Sequence, residues 1–214
     1  PDFIKSLPIW KALDENTILA FEMNGNPLPY LNGYPVRLIV PGWTATYWIK
    51  MISEINVLSK PADGFWMRKA YRIPLGKFPE VARFSSQEYS GENTTPVTEI
   101  VVNSLITSIK DGQTFKLGQS IGVQGLAWDS GKGINLVEVS TDGGNTWHSA
   151  DLGNDYGNYS YREWIYRFKP KARGIYPIMA KASNCAGSTQ TFELNWNPAG
   201  YHNNVVQKIG IVVD

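Results

Sequence analysis

Residues Val123–Leu152 read VQGLAWDSGKGINLVEVSTDGGNTWHSADL. Short apolar runs alternate here with clusters of Gly, Asp, Asn and Ser, the pattern of strands separated by tight turns. The pattern extends in both directions. From Val97 to the end, ITSI, SIGVQGLAW, INLVEVST, TWHSADL, WIYRFKP, YPIMAKAS, TQTFELNW and VVQKIGIVV follow one another. Their spacing is roughly a dozen residues, which predicts an all-β immunoglobulin-like sandwich over 97–214. The assignment rests on spacing, because the Cys-Trp-Cys hallmark of antibody domains is absent.

Within this stretch, STDGGNTW (Ser140–Trp147) fits the Asp-box of sialidase-type propellers. Its mechanics are those of a hairpin. Asp142 accepts backbone N–H bonds across the turn, Gly143 and Gly144 supply positive φ, and Trp147 caps the end. A propeller repeats the box in each blade, and this chain carries it once. The reading is therefore structural.

Upstream the pattern changes. SLPIWKALDEN (6–16) has helical spacing at Leu7, Trp10, Ala12 and Leu13, with Ser6 as N-cap. ILAFEMNG reads as a strand ending in a turn, PVRLIV as a short strand closed by Pro41-Gly42, and TYWIKMISEINVL as a helical turn running into a strand. Residues 1–60 thus form an α+β segment. Residues 61–96 are a connector with little periodicity, of a length usually reserved for function or for joining domains. Its Phe65, Trp66, Tyr71 and Phe78 require packing partners.

A net charge of +1 argues against a polyanion partner, so no nucleic acid is expected. No apolar run approaches the roughly 20 residues of a membrane span. The lone Cys185 excludes an internal disulfide and a CxxC metal site, and reads as a buried or half-buried strand-end thiol. The histidines are His148 and His202, too few for a His-rich metal site, and no metal ligand is assigned.

Three residues stand out chemically. Arg37 lies inside an apolar strand and Lys50 in the aromatic YWIKMI. Each is compatible with a solvent-facing role, Lys50 by snorkelling. Each also suits an anionic cofactor, the guanidinium by its fork and the ammonium as a point charge. GWTAT between them offers backbone donors for an anion. Tyr71 is flanked by Arg68, Lys69 and Arg72, either as a loop anchor or as a phenol poised to donate to an oxyanion.

Taken in order, ILAFEMNGNPLPYLNGYPVRLIVPG, TYWIK, GFWMRKAYRIP, NSLITSIKDGQ, VQGLAWDSGKGINLVEVSTDGGNTWHSADL, AGSTQ and NWNPAGYHNN resemble the sulfite oxidase family, in particular bacterial sulfite:cytochrome c oxidoreductases. The resemblance implies that 1–60 closes a molybdopterin-binding oxidoreductase domain and 97–214 is an Ig-like dimerisation domain. It implies that Arg37 and Lys50 contact a molybdopterin–molybdenum cofactor and that Tyr71 is the catalytic tyrosine of the sulfite pocket. An oxo group on molybdenum then accepts the sulfur lone pair of sulfite, and electrons pass singly to haem on a partner subunit or domain.

The further expectations are a homodimer through 97–214, a c-type cytochrome partner and a periplasmic location. The resemblance also places the molybdenum-ligating cysteine upstream of Pro1, in an N-terminal remainder of the cofactor domain, so this chain alone is expected to be inactive. Three departures accompany it. Asn32 stands where animal members carry His, Ala45 replaces a Gly of the PG-x-x-G turn, and NPAGYHNN lacks the family's substrate arginine, leaving His202 as a weak substitute when protonated. The alternative reading is a non-catalytic Ig-like β-sandwich that serves binding or assembly.

Overall fold

The computed structural model describes residues 2–60, 62–74, 94–197 and 199–214. Most of the expected connector, including Phe78, lies outside them. The chain forms two compact units, Pro1–Ile100 with Asn195–Tyr201, and Val101–Leu194 with His202–Asp214. The short segment Asn195–Tyr201, expected within the sandwich, thus belongs to the first unit.

In the first unit, α1 is a single turn, Ile9–Ala12, capped by Pro8 without a side-chain hydrogen bond. The longer helix expected over 6–16, with Ser6 as cap, does not form. A proline pushes the residue before it towards extended backbone, which holds Leu7 out of a helix. Nor do the spaced apolar residues face inward: Trp10 and Leu13 are exposed, whereas Lys11 is buried and paired with Asp14 at 2.7 Å.

Strand β1 (Ile18–Ala20) pairs antiparallel with β4 (Arg37–Ile39). Between them, β2 (Glu22–Met23) and β3 (Asn26–Pro27) form a hairpin. Its turn residues Asn24 and Gly25 both have positive φ, 54° and 75°, the requirement that selects Asn-Gly.

A 3-10 turn follows at Tyr30–Asn32 and a second at Ala45–Tyr47. Val40, Trp43 and Tyr47 form the buried core of this unit, with Leu7, Leu38 and Trp48 packed against it. The strand expected after the second turn reduces to one bridge, between Lys50 and Arg37. Further on, α2 (Phe65–Arg68) leads into β5 (Arg72–Pro74), which pairs with β6 (Thr94–Pro96). Ile18, Leu19, Phe21 and Met23 are exposed, so the β1–β3 region leaves apolar surface open.

The second unit is the sandwich. One sheet joins β12 (Asp151–Leu152), β13 (Arg162–Phe168), β9 (Ile121–Trp128) and β7 (Asn103–Ile106). The other joins β11 (His148–Ser149), β10 (Ile134–Ser140), β14 (Gly174–Asn184), β15 (Gln207–Val213) and β8 (Thr114–Phe115). Every pairing is antiparallel except β15 with β8.

Along β9 the buried positions are Ile121, Val123, Gly125 and Ala127, the alternation that a one-sided strand requires. They meet Val137, Val139, Trp164, Ile178, Ala180 and Ile211 in a single core. Full burial of each such Val or Ile is worth about 1.5–3 kcal/mol over exposure.

The run TQTFELNW does not become a strand. It makes only two bridges, Thr189 with Ser183 and Thr191 with Val205. Both edges of β14 are already taken by β10 and β15, so no ladder is open to it. Gln190 ties it down instead. Its buried Oε1 accepts from Ala182 N at 2.9 Å and Ser104 Oγ at 2.7 Å, and its Nε2 donates to Asn103 Oδ1 at 3.0 Å.

The Asp-box closes a turn, as its residues predict. Asp142 Oδ1 accepts from Thr146 N at 2.9 Å and Ser140 Oγ at 2.7 Å, and Oδ2 from Thr146 Oγ at 2.6 Å. The Thr146 bonds foremost hold its carboxyl well below the usual range.

Candidate functional site

Arg37 and Lys50 come together. They are partners in an antiparallel bridge, and both side chains reach the turn at Tyr30–Gly33. Arg37 Nη1 donates to Asn32 O at 2.9 Å, and Lys50 Nζ donates to Leu31 O at 2.8 Å. Arg37 Nη2 also reaches Trp48 O at 3.3 Å. Gly33 makes the approach possible. At φ +112° a Cβ there would lie 3.0 Å from Arg37 Cβ and 3.2 Å from Lys50 Cβ.

Neither cation has a carboxylate partner among the described residues. Arg37 Nε is buried and lacks a hydrogen-bond partner among them. An orphaned buried donor beside a second unpaired cation fits an anionic group, such as the phosphate of a pterin cofactor. By contrast, two of the GWTAT amides are occupied. Trp43 N donates to Val40 O and Thr44 N to Thr98 O. The expected backbone donors for an anion are therefore not free at those two positions.

Tyr71 sits between α2 and β5 with φ +54°. A bulky residue in that region is uncommon and costs of order 1 kcal/mol or more, so its neighbours must hold it. They do. Tyr71 O accepts from Val97 N at 2.8 Å, and its ring contacts Phe3, Trp66 and Tyr201 at centroid distances of 6.1, 5.9 and 6.0 Å. The hydroxyl has no hydrogen-bond partner among the described residues.

Two cations belong to this region, Arg72 next in sequence and Lys5, which was not visible in the sequence. Arg72 is fixed by three bonds: Nε to Thr94 Oγ at 2.8 Å, Nη1 to Met67 O at 2.5 Å and Nη2 to Thr94 O at 2.6 Å. Lys5, far away in sequence, places Nζ 5.2 Å from the Tyr71 ring centroid and 4.5 Å from that of Tyr47. Burial, and secondarily Arg72, pushes the Lys5 ammonium down to about 8. Burial likewise pushes the Tyr47 phenol up to about 12. Nothing in PDFIKSLP marks Lys5, and only the long-range packing of the folded chain brings it here.

His202 belongs to the second unit. Burial pushes its imidazole down to about 4, so it is neutral at neutral pH. The positive charge expected of it is therefore missing there. Cys185, expected to be buried or half-buried, is instead exposed and free, because it lies in the turn just past the end of β14. Among the described residues no three of His, Cys, Asp or Glu gather in a way that would hold a metal ion.

Residues 1–66 match the oxidoreductase molybdopterin binding domain, and residues 94–214 match the Mo-co oxidoreductase dimerisation domain. The chain belongs to the sulfite oxidase family of molybdenum-cofactor oxidoreductases. It is similar to mitochondrial sulfite oxidase of Homo sapiens, 29% identical over 97% of this chain and 39% of that protein. Nitrate reductase [NADH] 2 of Phaseolus vulgaris is 29% identical over 87% of this chain and 22% of its own length.

Among solved structures, the sulfane dehydrogenase SoxCD of Paracoccus pantotrophus has a TM-score of 0.75. It covers 95% of this chain and 50% of that one at 24% identity, a likeness of fold. The chain thus spans about two fifths of the sulfite oxidases it matches. Within the family's framework, Arg37 and Lys50 lie in the molybdopterin-binding match, whereas Tyr71 falls between the two matched segments.

Proposed function

We propose that this chain is the C-terminal part of a molybdenum-cofactor oxidoreductase that oxidises sulfite or a related small substrate and passes the electrons to a c-type cytochrome. The observation that carries the proposal is Tyr71, a strained phenol with Lys5 over its ring and no hydrogen-bond partner for its hydroxyl among the described residues. An O–H without an acceptor among those residues, beside a cation, is arranged to donate to an oxyanion.

Arg37 and Lys50 would hold the pterin cofactor through its anionic end. When bound, that group supplies the two-electron redox chemistry. The chain's own residues supply anion attraction, orientation and a hydrogen bond to a substrate oxygen.

The wider assembly follows the same reading. The open apolar side chains of Ile18, Leu19, Phe21 and Met23 support cover by an N-terminal remainder of the cofactor domain. The dimerisation-domain match supports a homodimer through 97–214. Haem on a partner subunit or domain would take the electrons, in a periplasmic setting.

The test is Tyr71→Phe in the complete, molybdenum-loaded enzyme, followed by sulfite-dependent cytochrome c reduction. The expected result is a fall in kcat/KM equivalent to roughly 1.4–2.7 kcal/mol of transition-state stabilisation. An unchanged kcat/KM removes Tyr71 from the reaction.

A further inference from the structure

Lys5 is a half-buried ammonium without a carboxylate partner among the described residues. Its hydrogen bond there is to Trp66 O at 2.9 Å. An ammonium has three donors, so two remain. Arg72, the cation that acts on Lys5 electrostatically, commits its guanidinium to Met67 and Thr94. Arg72 therefore contributes field, while Lys5 retains donors that a ligand can use.

The surroundings of Lys5 are aromatic. Tyr47 and Tyr71 present ring faces to Nζ at 4.5 and 5.2 Å. Ring faces attract the cation without neutralising it, and they restrict its hydration. A desolvated, uncompensated charge of this kind is costly to keep unless something anionic joins it.

We propose that Lys5 is an anion-binding residue of the Tyr71 site, capturing a small tetrahedral or pyramidal oxyanion and positioning it against the Tyr71 hydroxyl. This rests on the reading that Tyr71 serves oxyanion chemistry. It adds a residue remote in sequence, and it places the substrate's charge compensation partly in the N-terminal segment of this chain.

The competing role is structural, a lysine that ties the chain's start to α2 through Trp66 O. The two roles differ in what titration does. The charged groups around Lys5 are Arg72 and the phenols of Tyr47 and Tyr71. A guanidinium keeps its proton throughout this range, and burial keeps the Tyr47 phenol neutral up to about 12. Anion affinity in the wild type should therefore decline as pH rises through about 8, where Lys5 loses its proton. A purely structural lysine gives no such coupling to anion affinity.

The experiment uses the complete, molybdenum-loaded enzyme, with sulfite turnover and sulfate binding by calorimetry measured from pH 6 to 10. For Lys5→Met the expected result is a rise of about tenfold in sulfite KM and sulfate Kd at pH 7, with the loss falling on KM rather than kcat. The decline in affinity near pH 8 should vanish in this variant. Lys5→Arg should restore binding at pH 7 and move the decline to higher pH, because a guanidinium keeps its proton.

Unchanged sulfate binding in Lys5→Met overturns the proposal. So does a pH profile that Lys5→Arg leaves where it was, a readout available even if Lys5→Met fails to fold. Sulfate binding that follows Lys5 in an enzyme with no sulfite turnover would instead sink the sulfite reading and leave the anion site standing.

Discussion

Arg37 and Lys50 face each other across one antiparallel bridge and donate to adjacent carbonyls of the same turn, Asn32 O at 2.9 Å and Leu31 O at 2.8 Å. Two cations held this close would repel, and neither has a carboxylate partner among the described residues. The turn carbonyls offset part of that repulsion, and a bound anion would offset the rest. On the proposed reading the pair is a preformed anion clamp whose geometry belongs to the backbone.

That arrangement predicts a separation between folding and cofactor retention. Lys50 is exposed, so Lys50→Met should leave thermal stability nearly unchanged. Losing one charge-assisted hydrogen bond should cost about 1.5–3 kcal/mol of cofactor binding. Molybdenum content after dialysis, set beside the melting temperature of the same preparation, checks both halves. A stable variant that keeps its full metal content would remove Lys50 from the clamp.

Gly33 sets the clamp's spacing. At φ +112° an L side chain is strained, and its Cβ would press on Arg37 Cβ at 3.0 Å and on Lys50 at 3.2 Å. Gly33→Ala should destabilise the first unit by about 1–3 kcal/mol and disturb both cations at once. Chemical denaturation monitored by the tryptophans of this unit gives the stability. An Ala variant as stable as the parent would mean that the turn relaxes freely.

Much of the sandwich was legible because its signals are local. In Ser140–Trp147, as in Asn24-Gly25 of the first unit, turn chemistry and hairpin geometry coincide. Arg37 and Lys50 were legible as odd charges in apolar surroundings. Three things were not. The spacing of Leu7, Trp10 and Leu13 suggested a helix, but Pro8 kept Leu7 out of it, and of the three only Leu7 packs against the core while Trp10 and Leu13 stay outside. TQTFELNW has strand composition, yet both edges of β14 were already occupied. Lys5 meets Tyr71 only through long-range packing, which no periodicity encodes.

Acid should weaken the second unit in a defined window. His202 has a usual value of 6.5, and burial brings it to about 4 in the fold. Between those values the unfolded chain holds a proton that the folded chain does not, so stability rises with pH across the window and is level above it. The slope should be at most about 1.4 kcal/mol per pH unit. Asp142 acts lower. Its depressed carboxyl stabilises the fold above the usual carboxylate range and loses that contribution only as pH falls further. Urea titrations at pH 4.5, 5.5 and 7 check the slope, and His202→Gln should flatten it without touching the acid limb of Asp142.

Gly125 and Trp164 are cross-strand partners of β9 and β13, and the indole occupies the space a side chain at 125 would need. A Cβ there would come within 2.3 Å of Trp164 Cζ2 and 2.0 Å of Leu105 O. The first obstacle is a side chain and the second is backbone of β7, so only one can move aside. Gly125→Ala should therefore cost about 3 kcal/mol or more, at the upper end of overpacking. Trp164→Ala alone should cost about 3–5 kcal/mol through lost burial. The double variant should fall short of the sum, because removing the indole relieves one clash and leaves the Leu105 carbonyl. Denaturation midpoints of all four proteins close the cycle. Strict additivity would show that the indole does not oppose a side chain at 125 and that the whole penalty lies in the β7–β9 backbone spacing.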